Sequence, residues 1–218
     1  MAQIACTATP SYWGYTGLIA TPTADTVEQA GFNFGAAFAS VDDTDYSIFS
    51  ANFGLAPGLE IGAAYYNPDT DNNTVVVPAT IRAAGANAAS GDDDKTVLNA
   101  KYRLVNETLT QPAVAVGISD ATDEIDSTPY IVLSKGLSLD TDAFISPRFH
   151  IGVGGGRLDG LFGGFSAALG QKTTLMAEYD TEDVNFGLQY AVSQEVRVHA
   201  DLIAGEDFGF GISFNKGF

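Results

Sequence analysis

His150 and His199 are the only two histidines of the 218-residue chain, and each stands among residues able to exchange protons or charge. His199-Ala-Asp201 puts an imidazole and a carboxylate on one side of an extended segment, because alternate residues share a face. Glu60, Lys101, Arg103, Arg148, Glu178 and Arg197 sit in similar stretches with a period of two. Acid–base catalysis needs such groups, but it also needs a nucleophile or an oxyanion donor held beside them. No distinctive nucleophile motif accompanies either histidine. Gly152-Val-Gly-Gly-Gly156 follows a strand, yet Arg157-Leu-Asp leads into another strand and not into the helix of a phosphate loop. The set reads as charges that pair across an interior or line a wet channel, with no enzyme activity and no cofactor expected.

The segments carrying these residues alternate large apolar groups with small ones. In the closing stretch, Phe208, Phe210, Ile212 and Phe214 share one face, and Gly209, Gly211 and Ser213 share the other; the chain ends at Phe218. Phe32, Phe34 and Phe38 likewise oppose Asn33, Gly35, Ala37 and Ala39, and Phe49, Phe53 and Leu55 oppose Ser50, Asn52 and Gly54. A soluble sheet shows polar side chains on its solvated face, whereas a barrel wall in lipid turns its bulky groups outward. The rhythm continues through Leu59–Tyr66, Thr96–Leu104, Ala113–Ser119, Pro129–Leu137, Pro147–Gly154, Leu161–Leu169, Thr173–Asp180, Val184–Ala191 and Val196–Leu202. The prediction is an all-β fold, a closed antiparallel up-and-down transmembrane β-barrel of about 12 strands. Glu60, Lys101, Arg103, Arg148, His150, Glu178, Arg197, His199 and Asp201 then line its lumen. Phe210→Asp should block assembly, and Gly211→Asp, on the inward face, should be milder.

Residues 1–30 do not alternate. They form a non-repetitive N-terminal arm or plug, and residues 31–218 form the barrel with a long outer loop at 67–94. Tyr12, Trp13, Tyr15, Leu18 and Ile19 make the arm too apolar for a solvated tail, so it is expected to pack in the lumen, across a mouth or on a partner. The connections sort into short turns at one end and longer, acidic loops at the other, with Val41–Asp45 among the loops. Asp69, Asp71 and Asn73 resemble the first half of a calcium loop, but Thr74 stands where glycine is required. They are candidate ligands for a divalent cation at the acidic rim.

The formal net charge is −17, which lacks the basic footprint of a nucleic-acid binder. Cys6 is the only cysteine, so no internal disulfide forms. Gly14-Tyr-Thr-Gly-Leu-Ile-Ala-Thr-Pro-Thr-Ala24, followed by Phe32-Asn-Phe-Gly35, is similar to the opening of YjbH-type exopolysaccharide-associated outer-membrane proteins. The closing strand resembles that of bacterial outer-membrane barrels, whose terminal Phe is read by the barrel-assembly machinery. That resemblance gives Phe208, Phe210, Phe214 and Phe218 the role of an assembly signal. It implies a Gram-negative-type outer-membrane location, with membrane lipid and the assembly machinery as partners.

Three readings follow. The first is an outer-membrane barrel, either a small passive channel or a structural envelope protein with an acidic extracellular rim. The second is a self-assembling extracellular or envelope polymer whose subunits join through the apolar arm. The third is a soluble lipocalin-like binding barrel with its apolar faces inward.

Overall fold

Alternation carried through almost the whole chain leaves each strand with one bulky and one small face, and only a closed sheet leaves no unpaired edge between them. The computed structural model describes residues 9–41, 44–69, 94–137 and 145–217. Among these, the strands are β1 (Phe32–Val41), β2 (Thr44–Ala56), β3 (Leu59–Asp69), β4 (Lys95–Val105), β5 (Ala113–Ser119) and β6 (Thr128–Gly136). The sheet continues with β7 (Ile145–Gly154), β8 (Gly160–Leu169), β9 (Thr173–Tyr179), β10 (Val184–Ala191), β11 (Val196–Ile203) and β12 (Asp207–Lys216). Each strand pairs with its sequence neighbours, and β1 pairs antiparallel with β12 from Phe32↔Lys216 to Ser40↔Phe208. The sheet is therefore a closed, twelve-stranded, up-and-down barrel. Its seam is reinforced by facing rings, with Phe38 and Phe210 centred 5.4 Å apart.

The outward face is apolar around the whole circumference. Phe34, Phe49, Ile131, Phe149, Leu161, Phe186, Leu188 and Phe210 all stand exposed on it. An apolar belt of that extent is foreign to a water-soluble monomer and matches a wall in contact with lipid. The soluble lipocalin-like arrangement, with its apolar face inward, is not what the register gives. Among the described residues no helix is long and apolar enough to cross a membrane.

Two expectations need correction. The strands run further into the acidic stretches than their composition suggests, so β1 and β2 are separated only by positions 42–43 and the third hairpin connection begins after Asp69. Asp and Asn favour turns without requiring long ones. The contrast between the two ends thus rests chiefly on 70–94, since 204–206 is as short as the turn at 170–172. The start of β1 at Phe32 and the end of β12 at Lys216 lie at the mouth that carries the turns at 57–58 and 170–172.

The second correction concerns the inward face, which is not uniformly small or charged. Tyr46, Ile48, Tyr66, Val97, Tyr130, Val132, Phe162 and Ile203 point inward and are buried. A water-filled channel would not carry them. They make up a core, and the arm completes it.

Candidate functional site in the barrel lumen

An irregular segment brings backbone N–H and C=O groups that no ladder satisfies, so burying one inside a barrel demands partners from the wall. Residues 11–27 are almost all buried, with Trp13, Tyr15, Ile19 and Ala20 at the centre of the core. The segment first turns on itself. The Ser11 N–H donates to Tyr15 O at 2.8 Å and the Leu18 N–H to Thr21 O at 2.9 Å, with isolated bridges at Pro10↔Thr16 and Gly17↔Pro22. Gly14 sits at φ +74, where its absent side chain lets the turn lie against the backbone of Ala63.

Near the short-turn mouth the wall offers Glu60 and Lys101, cross-strand partners on β3 and β4. The Glu60 carboxylate accepts from the Thr16 N–H at 2.9 Å, the Thr16 hydroxyl at 2.6 Å and the Val27 N–H at 2.8 Å. Lys101 Nζ lies 3.5 Å from Glu60 and donates to Thr16 O at 2.6 Å and Thr23 O at 3.3 Å. A buried charge persists only when paired and hydrogen-bonded, and here the arm supplies part of that solvation.

Toward the long-loop mouth the corresponding residue is Glu178 on β9. It accepts the N–H groups of Ile19 (3.1 Å), Ala20 (2.6 Å) and Thr21 (3.1 Å), together with the Thr21 hydroxyl (2.7 Å). Asn185 Nδ2 adds a fifth donor at 3.0 Å. Thr16 and Thr21 therefore play matching parts, each gripping one wall carboxylate through its N–H and its hydroxyl.

The arm's aromatic residues are bound as specifically. Asn99 Nδ2 donates to Trp13 O at 2.7 Å, and the Arg157 guanidinium lies 4.1 Å from the Trp13 ring centroid. Arg157 also donates to the Tyr15 hydroxyl at 2.7 Å, which itself donates to Ala20 O. Burial pushes the Tyr15 phenol up to about 12, against the opposing pull of Arg157. Tyr12 donates to Asp201 Oδ2 at 2.8 Å, the same oxygen that lies 2.6 Å from His199 Nδ1. Burial, followed by the charge of Asp201, raises the Tyr12 phenol well above its usual value.

His150 sits apart from His199. Its Nδ1 lies 2.7 Å from Ser134 Oγ, which also accepts the Ala24 N–H at 2.8 Å. Arg148 bridges Asp25 of the arm at 2.8 Å and Glu107 of the turn after β4. Arg103 and Arg197 face inward, half-buried near the short-turn mouth. Leu18 rests over Gly164. Phe208, Phe210 and Phe214 are exposed on the outer wall. Asp71, Asn73 and Phe218 lie outside the described residues, as does the side chain of Asp69.

The lumen carboxylates Glu60, Glu178 and Asp201 thus each bind the arm, and His150 and His199 stand beside those contacts. Between arm and wall there remains a void of about 10 Å³ beside Tyr12, His199, Asp201, Gln189 and Ser213. That is room for roughly one water. The inward arginines and carboxylates were legible from strand parity. Thr16, Thr21, Asn99, Ser134 and Arg157 were not, because their role depends on where the arm lies; the one available signal was the TGL…PTA spacing.

A family model named YjbH, described as exopolysaccharide biosynthesis protein YbjH, matches residues 9–181. The match takes in the arm and β1 to β9. A search of curated proteins returns no match. Among solved structures, the KdgM porin aligns with 86% of this chain and 99% of its own at 12% identity and a TM-score of 0.50. The NanC porin aligns with 84% of this chain and 98% of its own at 11% identity and a TM-score of 0.51. At such identities the likeness is one of fold.

Proposed function

Since the chain belongs to the YjbH family, we propose that it is an outer-membrane barrel of an exopolysaccharide-producing envelope whose passage is closed by its own N-terminal segment. The observation that carries this reading is the seating of residues 11–27 inside the lumen, with Glu60 and Glu178 each receiving several arm donors. A small passive pore would leave its charged lumen residues to water. Here those residues are solvated by protein, so the resting barrel is shut and conduction depends on moving the arm. The apolar outer wall supports a membrane location, and the porin folds support an architecture capable of passage. Asp123, Glu124, Glu182 and Glu206 leave the long-loop mouth acidic and exposed, consistent with the side that faces outward. The closing strand, with Phe208, Phe210 and Phe214 on the lipid side, is the segment the assembly machinery would read.

The arm's occupation of its own barrel counts against the polymer reading, because the apolar residues that would join subunits are already covered. The test is single-channel conductance of the full chain in planar bilayers, beside a variant lacking residues 1–30. The full chain should be silent and the deletion variant should conduct, with both showing heat-modifiable migration on gels. A full chain that conducts steadily would overturn the plug. A silent but folded deletion variant would leave a structural envelope role.

A further inference from the structure

The arm is held by two carboxylates, and their surroundings differ. Glu60 is the second residue of β3, at the short-turn mouth, and has a cation as its partner. Lys101 stays within reach of Glu60 whether or not the arm is present, and it adds two hydrogen bonds of its own to Thr16 and Thr23. Glu178 is the next-to-last residue of β9, at the opposite mouth. Among the described residues its donors are all neutral: the backbone of Ile19, Ala20 and Thr21, the Thr21 hydroxyl and Asn185.

The charged groups around Glu178 do not repair this. Asp180 shares the Asn185 amide with it and repels it. Arg157, a cation of that half, is turned to the Tyr15 hydroxyl and the Trp13 face. On the arm side stand the phenols of Tyr12 and Tyr15, and beyond Tyr12 lies the His199–Asp201 pair of β11. β8 presents Gly164, which has no side chain to offer.

A buried carboxylate without a counter-ion keeps its charge only through its hydrogen bonds, so most of its solvation leaves with the arm. It also sits one residue from the end of its strand, at the long-loop mouth. Departure of the 19–21 turn strips Glu178 of four donors and returns it to the water of the outer mouth. Departure of Thr16, Thr23 and Val27 would instead break contacts to a carboxylate and an ammonium that already neutralise each other at the short-turn mouth.

We infer that the arm opens in two stages, with Glu178 as a releasable latch for its outer half and Glu60–Lys101 as the anchor that keeps the inner half tethered. This rests on the plug reading and adds to it the direction of opening, from the long-loop side, and the residue that controls it. The latched half carries Trp13 and the turn at 19–21; the anchored half carries Thr16, Thr23 and Val27. A solute arriving at the outer mouth would therefore meet the movable part first.

Trp13 is the only tryptophan of the chain, so its emission reports the outer half without any label. The experiment uses the full chain in detergent micelles and measures acrylamide quenching of Trp13. In parallel, it follows maleimide labelling of Val27→Cys in a Cys6→Ser background, where Val27 reports the inner half. Glu178→Gln should raise the quenching constant severalfold and leave the Val27→Cys labelling rate unchanged. Glu60→Gln should raise the labelling rate. Thr21→Val, which leaves the wall intact, should raise quenching by a smaller factor and keeps the test open if Glu178→Gln assembles poorly. Trp13 as shielded in Glu178→Gln and Thr21→Val as in the parent would overturn the latch, and so would quenching and labelling that rise together. Failure of the plug reading would appear elsewhere, in the conductance of the chain lacking residues 1–30.

Discussion

Lys101 Nζ and the Glu60 carboxylate lie 3.5 Å apart on neighbouring strands, each side chain only 1% exposed. Their burial is the work of the arm, since both face a lumen that would otherwise hold water. Removing one member of such a pair leaves a charge that is neither hydrated nor neutralised. Lys101→Met should therefore destabilise the barrel by about 3–5 kcal/mol, with the combined Lys101→Met/Glu60→Gln variant less affected than the single one. Denaturant titration in detergent, followed by heat-modifiable migration, checks both. Equal stability of parent and Lys101→Met would mean that water reaches the pair and that the arm does not seal it.

Phe210 stands 55% exposed on the outer wall, against Phe38 across the seam. Phe210→Arg should cost roughly 2–4 kcal/mol of insertion free energy if this belt lies near the bilayer midplane. The measurement is the folded fraction recovered in lipid vesicles, with Phe210→Leu as the control that should insert normally. Tolerance of arginine would contradict a lipid-facing wall. The neighbouring Gly211→Asp, milder by parity alone, also carries a steric cost. A Cβ at Gly211 would come within 2.4 Å of His199 Nε2 and 2.9 Å of the Ala37 Cβ, so a side chain there displaces the ring that borders Tyr12.

That difference marks what the sequence could and could not reveal. The strands were legible because lipid and lumen impose a period of two, which survives in every one of them. The same rule misread why the inward face is small. A Cβ at Gly54 would meet Glu28 O at 1.9 Å, and one at Gly62 would meet Gly14 O at 2.5 Å. These glycines are small because the arm's backbone passes there, not because a channel needs width. The inward Tyr66 and Ile48 look like breaks in the pattern for the same reason, as they pack against residues such as Trp13. Nothing in the local sequence of β2 or β3 says that a segment from elsewhere will cover it. The lumen charges were found by parity, but the pairing of Glu60 with Thr16 and of Glu178 with Thr21 spans too many residues for spacing to show.

Glu107, in the turn after β4, gives a pH test outside the spanning strands. Its partial burial would raise the carboxyl, but the Gly136 N–H and the Arg148 and Lys135 cations outweigh that and hold it below its usual 4.5. A carboxylate depressed in the folded state adds stability at pH values above its unfolded value, and that stability is lost as pH falls through the folded value. Arg148 also holds Asp25, so the cluster fastens the arm where it leaves the short-turn mouth. Glu107→Gln should cost about 1 kcal/mol near neutrality, the value of a charged hydrogen-bond cluster reduced for solvent screening. The parent should lose this advantage on acidification below the usual carboxylate range, until the two proteins unfold at the same denaturant concentration. Midpoints measured in detergent from neutral pH downward show this as two curves that converge at the acid end. Curves that stay parallel throughout would mean that Glu107 contributes by packing and not by charge.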